Sequence, residues 1–226
     1  MTTANDPVKA LKAALTEKLR IDHRLNPVTV IMEGSSILIE GVVEDIALKK
    51  RALLMAMGLS GVEGVIDRLR VRPSKPMTDA EIRDHFYSAL SEEPTLQTGG
   101  IRAEVKDGVV DIEGTVGSLT HKRLAGVLAW WIPGTLDVIN SLEVSPPMDD
   151  NEDEIADALR IVLEKDRLVD ASSITCSNKG YVVTLNGVAV SDEVKRAAEE
   201  DAWYLWGVND VVNNIRVEPA RAHRLP

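Results

Sequence analysis

A spacing of 73 residues runs through this chain and limits what it can fold into. Gly41, Gly114 and Gly187 keep it, and so do Gly61, Gly134 and Gly207. Ala52, Ala125 and Ala198 follow the same interval, as do Ala56, Ala129 and Ala202, and Val71, Val144 and Val217. Pro73, Pro146 and Pro219 come two residues after each of those valines. The apolar class recurs with them: Ile39, Ile112 and Leu185; Leu59, Ile132 and Leu205; Val65, Val138 and Val211; Leu69, Leu142 and Ile215. A fixed internal period is the mark of a repeat architecture. The 226 residues therefore divide into three units, residues 1–74, 75–147 and 148–226, the last with a short tail. Leu11, Leu15 and Leu19 match Ile82, Phe86 and Leu90 at a spacing of 71, so unit 1 lacks two residues after its first helix.

Each unit reads as helix, strand, strand, helix, strand, an α+β pattern. Val8, Leu11, Leu15 and Leu19 recur at helical spacing in unit 1, and Ile155, Leu159 and Leu163 do so in unit 3. Asp6-Pro7, Thr78 with Glu81, and Asn151 with Glu154 supply helix-start chemistry. The next two strands form a hairpin. Residues 101–105 and 110–112 alternate apolar and polar around Asp107-Gly108, and Gly34-Ser35 and Lys179-Gly180 take the turn in the other units. The glycine at 41, 114 or 187 ends the hairpin and predicts a close backbone approach or a bulge. Asp45, Ser118 and Ser191 are aligned and suited to capping the second helix. Its paired alanines predict a helix lying close to the sheet, stopped by the glycine at 61, 134 or 207. The last strand alternates through Val65, Asp67, Leu69 and Val71, and proline closes the unit. Units of about 70 residues bury only ~60% of their unfolded surface, so short proline-stiffened linkers predict units that touch.

The run Val109-Val-Asp-Ile-Glu-Gly-Thr-Val116, the later Pro133-Gly134 and Val138-Ile-Asn-Ser-Leu-Glu-Val144 resemble the BON domain of OsmY-like osmotically inducible and nodulation proteins of bacteria. The same glycine–valine pattern returns at Gly41, Gly61 and Val71, and at Gly187, Gly207 and Val217. The resemblance covers about 8–73, 79–146 and 152–219. It implies three tandem αββαβ units, each with two helices packed on one face of a mixed three-stranded sheet. It also implies a non-enzymatic role linked to envelope or osmotic stress and to phospholipid surfaces. Many family members are exported or lipid-anchored, whereas the one cysteine here, Cys176, lies deep in the sequence.

Composition closes several functional classes. The longest uncharged run, Leu124 to Leu136, is well short of the ~20 residues needed to span a bilayer. Lys9, Lys12, Glu17, Lys18 and Arg20 break up the opening segment, which predicts no secretory signal and a cytoplasmic chain. A net charge of −10 argues against nonspecific nucleic-acid binding. No nucleophile elbow, phosphate loop or dinucleotide fingerprint occurs, so neither enzymatic turnover nor a cofactor is expected. His23, His85, His121 and His223 do not recur between units or pair at metal-ligand spacing. The acidic run from Asp149 to Glu154 lacks calcium-loop spacing and reads as a helix-start cluster. Cys176 aligns with Val30 and Ala103 and reads as a buried small side chain.

Two features remain as candidate binding surfaces. All four tryptophans fall at the ends of the second helices: Trp130, Trp131, Trp203 and Trp206, with Tyr204 among them. Unit 1 has Met57, Gly58 and Ser60 at the corresponding positions. The rings either form an exposed ligand or membrane surface or pack at repeat or dimer contacts, and these readings separate a surface-binding protein from an adaptor or small-ligand or ion-sensing scaffold. Charge is the second feature. Residues 1–74 hold 11 basic and 9 acidic side chains, against 6 and 11 in 75–147 and 9 and 16 in 148–226. Lys9, Lys12, Lys18, Arg20 and Arg24 make the first helix basic, fit to meet an anionic phospholipid surface. The expected partner is phospholipid or another protein, including a second copy of the chain.

Overall fold

Capping and burial set the elements in the same order three times. The computed structural model describes residues 6–21, 27–96, 100–147 and 152–218. Unit 1 comprises α1 (Pro7–Glu17), β1 (Thr29–Glu33), β2 (Ser36–Val43), α2 (Ile46–Met57) and β3 (Gly64–Val71). Unit 2 comprises α3 (Asp79–Ser91), β4 (Arg102–Lys106), β5 (Val109–Glu113), β6 (Thr115–Val116), α4 (Leu119–Trp130), β7 (Asp137–Asn140) and β8 (Glu143–Val144). Unit 3 comprises α5 (Glu152–Lys165), β9 (Ile174–Lys179), β10 (Val182–Ala189), α6 (Asp192–Tyr204) and β11 (Asp210–Val217). Strands β5 and β6, like β7 and β8, are one strand of the other units interrupted near its middle.

Each unit builds a mixed three-stranded sheet in which the hairpin is antiparallel and the last strand joins the middle one in parallel. Aligned middle-strand residues point to the core and are fully buried: Ile37 and Ile39, Val110 and Ile112, Val183 and Leu185. The helices cover that face with Leu11 and Leu15, Ile82 and Phe86, or Ile155 and Leu159, and with the paired alanines at 52 and 56, 125 and 129, 198 and 202. A methyl is the largest group these alanine positions hold between helix and sheet.

The caps carry out the chemistry their sequence implies. Asp45, Ser118 and Ser191 accept from the amides of Leu48 at 2.7 Å, His121 at 3.1 Å and Val194 at 3.3 Å. Thr78 and Glu81 form a full capping box, and Asp6 caps α1 through Val8 and Lys9. The Asn151 cap and the Asp149-Asp150 run lie outside the described residues.

Two boundaries differ from the sequence expectation. Helices α2 and α4 end at Met57 and Trp130, four residues before the repeated glycines, and α6 ends at Tyr204, three residues before Gly207. Pro133 prevents α4 from continuing, and Gly61 and Gly207, at φ +83 and +93, instead turn the chain toward the last strand. The turn in unit 3 is Gly180-Tyr181, one residue later than Lys179-Gly180, because Lys179 pairs with Val182. Tyr181 accordingly takes φ +60, a conformation glycine would hold more easily.

The glycine ending each hairpin makes a close approach. Gly187 has φ +133, and a Cβ there would run into the Ser173 carbonyl oxygen; Gly41 and Gly114 meet Pro27 and Gly100 in the same way.

Candidate functional site

Three successive basic residues on α2 join the units. Lys49 projects from the buried side of the helix, its side chain 6% exposed. Its ammonium lies 2.6 Å from Asp137 Oδ1, 2.9 Å from Asp67 Oδ2 and 2.7 Å from the Leu69 carbonyl oxygen. Arg70 donates to the other Asp137 oxygen at 2.7 Å. Unit 1 thus supplies two cations to one buried carboxylate of unit 2. Burial raises the Asp137 pKa above its ordinary value, against the pull of Lys49 and Arg70.

Lys50 and Arg51 reach the other way, into unit 3. The Lys50 ammonium donates to the carbonyls of Leu205 at 2.7 Å and Val208 at 3.3 Å, just past the C-terminal end of α6, where backbone carbonyls lack helical partners. Burial pushes its pKa down to about 7. Arg51 donates to Asp210 at 3.1 Å and lies 4.8 Å from the Trp203 ring centre. Asp210 aligns with Asp137, while unit 1 has Gly64 at that position. Arg123, aligned with Lys50, is fully buried and donates from α4 to the Trp206 carbonyl at 3.1 Å.

A cleft of about 630 Å³ opens where the three units meet. Unit 1 contributes Glu44, Asp45 and Arg72 to its wall, unit 2 contributes Trp130 and Trp131, and unit 3 contributes Asp166, Glu200, Asp201 and Tyr204. Trp130 stacks on Tyr204 across the junction, with ring centres 5.7 Å apart and planes 11° from parallel. The Trp131 indole N–H donates to Asp201 Oδ1 at 2.8 Å, also across the junction.

Asp201 is the most unusual group in the wall. It is 2% exposed, and its carboxyl hydrogen-bonds to that of Asp166. Burial pushes its carboxyl up to about 8, the Trp131 hydrogen bond opposes this, and the neighbouring Asp166 and Glu200 add to it. Burial and the negative charge of Asp45 also raise Glu200, and burial raises the Tyr204 hydroxyl. The other carboxylates are engaged. Glu44 pairs with Arg72 at 2.8 Å, Asp45 caps α2, and Asp166 accepts from the Leu168 amide at 2.8 Å.

The residues singled out from sequence separate into three groups. Trp130, Trp131 and Tyr204 are half-buried and lie between units 2 and 3. Trp203 is 1% exposed, so it serves as core and not as part of an exposed aromatic surface. Its place on the inner side of α6, beside the buried Ala202, is the reason. Trp206 is 50% exposed, with Lys122 and Arg123 at 5.4 and 5.7 Å from its ring centre.

Lys9, Lys12, Lys18 and Arg20 are all exposed, and Lys9 has Asp6 at 3.9 Å. Because α1 stops at Glu17, Lys18 is its cap and Arg20, at φ +54, lies beyond it. Only Lys9 and Lys12 stand on the helix proper. Arg24, His23 and His223 fall outside the described residues. Cys176 is partly buried against the core, with its thiol pushed up by burial.

Sequence reasoning missed Lys49, Lys50, Arg51, Asp137, Asp210 and Asp201. One signal was available: Lys49 stands three residues from both Ile46 and Ala52, a charge inside an apolar stripe.

The BON domain family model matches residues 8–73, 78–146 and 151–219. Among curated proteins, the osmotically-inducible protein Y of Escherichia coli strain K12 is 27% identical over 143 residues, covering 58% of this chain and 71% of that protein. Among solved structures, the C-terminal domain of CdsD, the structural protein of the type III secretion system of Chlamydia trachomatis, aligns at 16% identity and a TM-score of 0.27. That alignment covers 96% of this chain and 100% of the domain. The PrgH periplasmic domain aligns at 14% identity and a TM-score of 0.24, over 84% of this chain and 95% of that domain.

Proposed function

Because this chain belongs to the BON domain family, we propose that it is a non-enzymatic, OsmY-like stress protein that works as a ligand-binding scaffold. The observation that carries this reading is the shared cleft, whose walls come from all three units. A binder of independent beads would leave its rings on separate surfaces. Here Trp130, Trp131 and Tyr204 are held between units, and the Lys49 and Arg51 ion pairs set the angles between them. Its size lies within the ~300–1,000 Å³ range of small-molecule sites. The test is a thermal-shift screen of the full chain against small metabolites, repeated with Ala197→Trp, which fills the wall. Ligand shifts in the parent that vanish in the variant support the scaffold. No shift from any compound overturns it.

A second reading has its own support. Lys9, Lys12, Lys18 and Arg20 are all exposed around one end of unit 1, and no helix among the described residues is long and apolar enough to cross a membrane. This arrangement suits peripheral contact with anionic phospholipid, which salt would weaken. Sedimentation with phosphatidylglycerol vesicles at low and high salt tests it, and absence of pelleting at both refutes it.

A further inference from the structure

We propose that the junction between units 2 and 3 is a proton-held latch: one proton shared by the Asp201 and Asp166 carboxyls keeps α6 against Trp131, and its loss in mild alkali lets water into the junction and frees the rings. The latch concerns the junction itself and stands whether or not the cleft takes a ligand.

The geometry requires the proton. Asp201 is 2% exposed, and its carboxyl meets that of Asp166 in a hydrogen bond. Two ionised carboxylates have no hydrogen to place between them, so this contact exists only while one of the pair is protonated. The surroundings disfavour a second charge. Asp166 follows the last residue of α5, and its amide donates to the Val162 carbonyl at 3.0 Å, which puts it at the negative end of that helix. From α6 come Glu200, Tyr204 and Arg196, the last of which acts on Glu200. Helix α2 presents its cap Asp45, whose negative charge raises Glu200. The other cations are paired: Arg72 beyond β3 with Glu44, and Lys165 at the end of α5 with Glu93. Glu92 and Arg167 line the adjoining groove with Asp166 and Trp131. Helix α4 offers the Trp131 indole N–H, 2.8 Å from Asp201 Oδ1. The charges that act on Asp201 are those of Asp166 and Glu200, both negative. The pair therefore keeps its proton through neutral pH and titrates as a unit. When the proton passes to hydroxide in solution, two charges lie in contact in a dry site. Water entering from the cleft that Asp201 borders relieves them. Trp131 then exchanges its acceptor for water, and the adjacent Trp130–Tyr204 stack loses its clamp.

The experiment follows acrylamide quenching of tryptophan in the full chain from pH 6 to pH 9 at constant ionic strength, with far-ultraviolet circular dichroism on the same samples. The parent should show a rise in quenching centred near pH 8 while its circular dichroism stays unchanged. In Asp201→Asn the amide donates to Asp166 where the proton was, and its oxygen still accepts from Trp131, so quenching should stay low throughout. Asp166→Asn supplies the same hydrogen from the other side and should also remove the rise. Melting curves at pH 6 verify that each variant folds, and either one that folds decides the matter. Lys50, a second buried group whose pKa lies near 7, stands at the contact of units 1 and 3, so Lys50→Met should leave the rise in place. A parent that stays flat overturns the latch, and so does a rise that survives in either folded asparagine variant. A rise abolished by Lys50→Met assigns the transition to the lysine and overturns it too. Circular dichroism lost in step with the quenching is global unfolding and refutes it.

Discussion

Replacing Lys49 by methionine tests how the three units are held together. Methionine keeps the length and apolar stem of lysine and removes three contacts at once, to Asp137, Asp67 and the Leu69 carbonyl. The site is dry: the Lys49 and Asp137 side chains are 6% and 9% exposed. Breaking a buried pair by removing one partner costs about 3–5 kcal/mol, since the remaining charge stays buried. Arg70 at 2.7 Å and the Val138 amide at 3.0 Å still hold Asp137, so the loss belongs near the lower end, about 3 kcal/mol. For a chain of this size that lowers the melting temperature by about 6–12 °C.

The assay exploits where the tryptophans lie. All four are in units 2 and 3, so fluorescence follows those units while far-ultraviolet circular dichroism follows the whole chain. In urea the two probes should coincide for the parent and separate for the variant, because unit 1 loses its most buried anchor to unit 2 and keeps Arg70, Lys50 and Arg51. Adding Asp137→Asn to Lys49→Met should recover at least about 1 kcal/mol, a coupling within the range for contacting residues. A single variant within about 1 kcal/mol of the parent, or strict additivity in the double, would refute the reasoning.

Gly187→Ala should destabilise unit 3 by more than about 2 kcal/mol, since the methyl strikes the Ser173 carbonyl at a φ that L-residues avoid, and urea midpoints measure it. Asp201 makes stability pH-dependent in a definite direction. The folded chain holds its proton up to about pH 8, while an unfolded chain releases it near the ordinary value of 3.8. Between those values the unfolded state binds fewer protons, so stability falls as pH rises through this window. Facing Asp201 are Trp131 from α4, Asp166 after α5 and Glu200 on α6, and no cation is among them. Melting curves from pH 5 to pH 8 should slope less in Asp201→Asn than in the parent; equal slopes would assign the effect elsewhere.

The fold was legible because its determinants are local and repeated three times. Asp45, Ser118 and Ser191 cap aligned helices, and six aligned apolar positions per unit rebuild the same core. Small errors arose where one residue has two possible roles. Gly61 and Gly207 look like helix stops, yet they serve the turn into the next strand. Lys179-Gly180 satisfies the composition of a turn, but strand register moves it to Gly180-Tyr181. The site was less legible because it lies between units, and an alignment of repeats registers what they share. Lys49 pairs with Asp137 across 88 residues of chain, a relation no local period encodes. The tryptophans were visible as a cluster, but whether a ring faces core, cleft or solvent depends on the neighbouring unit.

The pairings of α2 also bear on the number of units. Repeat arrays such as solenoids grow by presenting each new unit with the surface the last one left open. Here unit 1 supplies the cations for both acceptors at the head of the third strand, Asp137 and Asp210, and Gly64 leaves unit 1 with no such acceptor of its own. Another copy of the unit would find both acceptors already taken. Within these three units the pairings of α2 form a closed set, with unit 1 tied to both of its companions by one helix.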